Sequence, residues 1–124
     1  MSRILHAFCL LMLSSQSISV AQSVFVDNLE DAFILSQETK QDILIVFGAG
    51  WCPSCNLLKR DIRENVDKFN SIICFVDFDK RPDLVKEYMV KMIPDSIIYR
   101  ENLEIKRRKG YMSFKDFHKW YTNE

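Results

Sequence analysis

The 124-residue sequence is 48% hydrophobic and 27% charged, with three glycines and three prolines. That composition suits one compact domain with its own core and excludes collagen-like, low-complexity and disordered chains. Seventeen Lys and Arg balance seventeen Asp and Glu, so the basic excess of a nucleic-acid binder is missing. The chain opens on Arg3, a largely apolar run from Ile4 to Leu13 and a polar stretch from Ser14 to Ser17. Ser19 and Ala21 are small residues at the spacing signal peptidase accepts, so residues 1–21 read as a leader cleaved after Ala21. The apolar run falls short of the about 20 residues of a membrane span; a retained anchor helix or a buried first helix is the other reading. Cleavage leaves a periplasmic or secreted domain, residues 22–124, without a membrane span. It removes Cys9 and keeps Cys52, Cys55 and Cys74, an odd set in a compartment where disulfides persist.

Val24 to Val26 is a short strand candidate. Asp27 precedes Leu29, Ala32, Phe33 and Ser36, a helical spacing with acidic residues at its start, and Gln41-Asp42 ends it. Ile43 to Phe47 is an unbroken run of apolar residues, as in a parallel strand buried on both faces. Gly48-Ala49-Gly50 breaks it. Cys55, Leu58, Ile62 and Val66 then recur at helical spacing, with Lys59, Arg60, Arg63 and Glu64 opposite. Ile72 to Phe78 is another strand, and Arg81-Pro82-Asp83 opens a short helix through Leu84, Val85 and Tyr88. Ile93-Pro94 leads into a strand at Ser96–Tyr99, Asn102 turns the chain, and Glu104 to Lys109 returns. Beyond Gly110, Ser113 and Asp116 start a last helix with Phe114, Phe117, Trp120 and Tyr121 on its inner face. Alternating strands and helices predict parallel strands joined by crossovers, and the late hairpin adds antiparallel strands at one side. This is one α/β domain.

The chemistry sits at Trp51-Cys52-Pro53-Ser54-Cys55. A thiolate is the nucleophile in disulfide chemistry, and a helix N-terminus favours negative charge at Cys52. Cys55, about one turn later, can close onto Cys52 or resolve a mixed disulfide with a substrate. Two blander readings stay open: a structural disulfide, or half of a zinc site completed by Cys74 and His118, whose spacing matches no zinc module. Cys74 lies in an apolar run and reads as a buried, inert thiol. His118 reads as a solvated surface residue. Lys106-Arg107-Arg108-Lys109 reads as a charged edge strand, with anion binding as the alternative.

Taken together, the buried strand Ile43 to Phe47, the WCxxC motif, Ile93-Pro94 and Gly110 resemble the active-site framework of the thioredoxin family, in the right order across residues 22–124. The resemblance implies an α/β three-layer sandwich, a central mixed sheet with helices on both faces. It implies an exported monomeric thiol–disulfide oxidoreductase acting on protein substrates and served by an upstream redox partner, with the reductase direction favoured. Cys52 and Cys55 would exchange the disulfide without metal, flavin or nicotinamide, while Trp51, Pro53, Ser54, Ile93, Pro94 and Asp95 shape the site. In the family the proline at Pro94 is cis. Three departures stand out: Pro53-Ser54 replaces Gly-Pro, Val46 and Phe75 occupy the places of a buried Asp and a Lys, and Asp95 follows the proline where Thr is common. A carboxylate there is expected to offset the helix dipole at Cys52. The competing expectation is a non-enzymatic binding module with a structural pair, and exposure of Cys52 is expected to separate the two.

Overall fold

The computed structural model describes residues 22–123; the predicted leader, with Cys9, lies outside them. Along the chain run β1 (Val24–Phe25), α1 (Leu29–Thr39), β2 (Ile43–Gly48), α2 (Pro53–Glu64), a 3-10 turn (Val66–Lys68), β3 (Ile72–Asp77), α3 (Pro82–Glu87), β4 (Asp95–Arg100), β5 (Leu103–Lys109) and α4 (Phe114–Thr122). The strands form one five-stranded sheet in the order β1-β3-β2-β4-β5. The first three pair in parallel, and β4 and β5 are antiparallel to their neighbours. The predicted mixed sheet is therefore present, with the continuous apolar run of β2 at its centre.

Successive strand residues point to opposite faces, so the sheet has two cores. Ile45, Phe47, Cys74 and Ile97 pack against Leu29 and Ala32 of α1, Leu84 of α3 and Tyr88. Leu44, Val46, Ile73 and Ile98 pack against Leu58 and Ile62 of α2 and Phe117 of α4. Helices on both faces explain why β2 and β3 show no polar alternation.

The boundaries differ from expectation where local hydrogen bonds decide them. Asn28 caps α1, its side-chain oxygen accepting from the backbone N–H groups of Glu30 and Asp31, the acidic residues of the first turn. That helix ends at Thr39, with Lys40 in the left-handed region at φ 63°. Helix α2 stops at Glu64, short of Val66, where the Asn65 amide turns back to donate to the Asp61 carbonyl at 2.7 Å. Glu101 and Asn102 both take positive φ, 52° and 64°, the type I′ geometry that suits a tight hairpin.

Two surface expectations are corrected. His118 is half-buried, lying edge-on to Phe69 and stacked on Phe114, with Nε2 3.0 Å from the Lys68 carbonyl. In the basic run, β5 is an edge strand, yet Lys106 reaches the carbonyls of Trp120, Tyr121 and Asn123 at the end of α4. Cations there satisfy carbonyls that the helix leaves unpaired. Arg107 turns inward, as described below.

Leu58 is fully buried between α2 and the sheet. Leu58→Ala is expected to lower unfolding stability by about 3 kcal/mol, read as a lower urea midpoint at unchanged slope.

Candidate active site

The turn between β2 and α2 is built for close approach. A Cβ added at Gly48 would lie 3.1 Å from the Cβ of Cys55, close enough that the strand end or the helix would have to give by a few tenths of an ångström. The Cys52 N–H donates to the Ala49 carbonyl at 3.0 Å, tightening the turn, and the Asn56 amide donates to the Gly50 carbonyl at 3.0 Å. Cys52 is then the N-cap of α2, in extended conformation, and Pro53 occupies the first turn, where its missing N–H costs nothing.

The sulfur of Cys52 takes the place of a capping oxygen. It accepts from the backbone N–H of Cys55 at 3.3 Å and lies 3.4 Å from the Ser54 hydroxyl. Cys52 and Cys55 are joined as a disulfide, their Cα atoms 5.2 Å apart. When the bond opens, negative charge left on Cys52 falls at a helix N-terminus beside two donors, where it is stabilised. Sulfur at the first position and an aligned partner one turn later are the geometry disulfide exchange needs.

The flanking residues converge on this pair. Trp51 is 67% exposed and its indole N–H donates to Asp79 at 2.7 Å, which fixes the ring on one flank. The Ile93–Pro94 peptide is cis. Ile93 packs against Ala49, Cys52 and Cys55, while buried Pro94 accepts from the Gly110 N–H at 2.7 Å. Gly110 has φ 85°, a conformation that requires glycine.

Asp95 is placed differently from expectation. It is fully buried, and its carboxylate is gripped by Arg107, Nε at 3.0 Å from Oδ1 and Nη2 at 2.7 Å from Oδ2. The charge that was set against the helix dipole is thus compensated within the sheet. Hydrogen bonding to Asp95 raises the Arg107 pKa and keeps the guanidinium protonated. The same Nη2 donates to the Tyr88 carbonyl at 2.7 Å, so Arg107 ties the segment ahead of Pro94 to the strand after it. Arg107 was missed because a charge run on an edge strand reads as solvated; its buried partner Asp95, on the neighbouring strand, had no sequence signal.

Exposure does not separate an exchanging pair from a structural one here. Cys52 retains 6% of its surface and Cys55 5%, yet exposed Trp51 and Met92, at 67% and 49%, flank the segments that hold them. Cys74 lies in β3 on the opposite face and is fully buried. Desolvation first, then the nearby Asp27 and Glu30 charges, pushes its thiol from 9.0 up to about 12. Among the described residues no group of three or more His, Cys, Asp or Glu is placed to hold a metal ion, and no helix is long and apolar enough to cross a membrane.

The family model for thioredoxin matches residues 20–123. A thioredoxin H-type of Fagopyrum esculentum is 30% identical over 95 residues, covering 76% of this chain and 82% of that protein. Thioredoxin H2 of Arabidopsis thaliana is 31% identical over 75 residues, 60% of this chain and 56% of its own length. The solved Trxlp of Edwardsiella tarda superposes with a TM-score of 0.71 at 21% identity, over 81% of this chain and all of that one. A CxxC disulfide capping α2, a cis-proline segment packed beside it and these similarities agree: the chain belongs to the thioredoxin family of thiol–disulfide oxidoreductases.

Asp95→Asn is expected to cost about 3 kcal/mol of stability by leaving Arg107 without its counter-charge, and to leave the Cys52 thiol titration unchanged. A Cys52 titration displaced by that substitution would contradict the compensation by Arg107. Cys74 is expected to resist alkylation in the folded chain and to react only after denaturation. Its raised pKa stabilises the fold fully below pH 9.0, and that stability is lost as the pH rises toward about 12. Wild type is therefore expected to lose stability with rising alkaline pH more steeply than Cys74→Ala, measured by denaturant midpoints.

Proposed function

We propose that the chain is exported and reduces disulfides in protein substrates, with Cys52 as nucleophile and Cys55 as the resolving cysteine. In the dithiol form the Cys52 thiolate attacks one sulfur of a substrate disulfide. A mixed disulfide forms and the first substrate thiolate leaves. Cys55 then attacks the Cys52 sulfur, releasing the second substrate thiolate and closing the Cys52–Cys55 bond. Two electrons pass from the pair to the substrate, and an upstream dithiol partner restores them. The chain acts as a monomer in this reading.

One observation carries the reading: Cys52 caps α2 through its sulfur, accepting from the Cys55 N–H while bonded to Cys55 itself. The exposed Trp51 and Met92 offer apolar surface to an extended substrate segment beside the pair. Similarity to thioredoxins supports the reductase direction, and the leader-like residues 1–21 support export. The low exposure of both cysteines is what favours the second reading, a binding module whose disulfide is structural.

Insulin disulfide reduction, driven by dithiothreitol, separates the two. The wild-type chain is expected to accelerate insulin precipitation, and Cys52→Ser to fall to the uncatalysed rate. Equal rates with and without Cys52 would sink the enzymatic reading and leave the binding module.

A further inference from the structure

The Arg107 guanidinium closes a loop. Its Nη2 donates to the Tyr88 carbonyl and to Asp95 Oδ2, both at 2.7 Å, while Nε reaches Oδ1 at 3.0 Å. Tyr88 is the C-cap of α3 and Asp95 the first residue of β4. One side chain of β5 thus holds both ends of the segment between them, Met89 to Pro94. The register pairs Arg107 with Ile97 and Lys109 with Asp95, so the guanidinium reaches back along its own face of the sheet to make these bonds. The remaining nitrogen, Nη1, lies 3.4 Å from Glu104 Oε1.

The loop carries a side chain where glycine is expected. Met89 follows the cap of α3 in the left-handed region, at φ 51°. Its N–H donates to the Lys86 carbonyl at 3.1 Å, and the Val90 N–H to the Val85 carbonyl at 2.9 Å. This is the pair of bonds with which helices commonly end on glycine. Glycine adopts that conformation without strain; Met89 adopts it with 67% of its surface exposed, so no burial of the side chain offsets the strain. Val90 is buried and roots the loop in the core. Lys91 and Met92 face outward, and Ile93 then packs against Cys52 and Cys55. Behind Cys55 a cavity of about 170 Å³ has Gly48, Lys59 and Phe75 in its walls but no residue of this loop. The loop therefore offers its two exposed methionines to the outer side of the pair.

We propose that Arg107 is a positioning residue for polypeptide substrates: it closes the Met89–Pro94 loop into a ledge on which the chain flanking a substrate disulfide rests. The inference rests on the exchange reaction proposed above and deepens it in one respect, the class of substrate. Thioether side chains adapt to varied apolar partners, and a loop held at both ends has little freedom left to lose when one binds. A small disulfide has no flanking chain to lay on the ledge and meets only the sulfur pair. Asp95 and Arg107 compensate each other's charge on β4 and β5, away from the helix that Cys52 caps. The clamp therefore acts on the binding of substrate and not on the nucleophile.

Single-turnover oxidation of the reduced chain separates ledge from sulfur pair. Excess insulin, or excess hydroxyethyl disulfide as a small neutral disulfide, is added. Samples are quenched in acid, alkylated and weighed for the loss of the Cys52 and Cys55 thiols. Arg107→Lys keeps a counter-charge for Asp95 but lacks the fork that spans both loop ends. Asp95→Leu combined with Arg107→Met removes both charges together, a replacement that buried pairs tolerate. Both variants are expected to react about 10-fold more slowly with insulin, the effect of a slightly misplaced substrate, and at the wild-type rate with hydroxyethyl disulfide. Met89→Gly is expected to keep or raise the urea midpoint and still to react more slowly with insulin alone. Wild-type insulin rates in both Arg107 variants overturn the proposal. So do equal losses with both disulfides, the result of a clamp that only holds the fold. A Met89→Gly insulin rate equal to wild type overturns that side chain's part. A wild-type chain oxidised by hydroxyethyl disulfide but not by insulin overturns the ledge and leaves the exchange reaction standing. Oxidation by neither overturns both.

Discussion

The contact between the end of β2 and the first turn of α2 governs the rest of the site. Gly48 brings the strand within a side chain's width of Cys55, and a Cβ there would meet Cys55 at 3.1 Å. Because the helix begins at that distance, Cys52 is its cap and Cys55 its third residue. The disulfide is therefore held by the same backbone geometry that starts the helix. The glycine also leaves the space behind Cys55 unfilled. One residue without a side chain thus sets both the position of the sulfur pair and the cavity at its back.

A second constraint holds the opposite wall. The Asp95–Arg107 pair is buried directly after the cis-proline, and Arg107 extends the link to the Tyr88 carbonyl. Burying a charge pair gives little net stability over an apolar alternative, but removing one partner is costly. Its effect lies in alignment: the guanidinium fork joins the segment ahead of Pro94 to β4 and β5, and so fixes Ile93 against the cysteines. Gly110 completes the arrangement from the neighbouring turn, its N–H given to Pro94.

Much of this was legible in the residues. The apolar run Ile43 to Phe47 and the alternation of strands and helices announced a parallel-centred α/β sheet, because central strands bury both faces. WCxxC after that run and the downstream Ile-Pro marked the site. What stayed hidden depends on distances between elements remote in sequence. Arg107 sits in a basic run whose local pattern signals a solvated edge, and only the β4–β5 pairing brings it to Asp95. His118 has charged neighbours in sequence, while its packing partner Phe69 comes from another part of the chain.

In the proposed reaction Cys52 and Cys55 form an exchangeable pair that donates electrons to the substrate. Its most direct measurement is the reduction potential of that pair, by equilibration with glutathione or dithiothreitol buffers and quantitation of free thiols. The expected value lies in the range of thioredoxins and glutaredoxins, about −270 to −200 mV. A potential below about −300 mV would mark a structural disulfide, and one near about −120 mV an oxidant; either would contradict it.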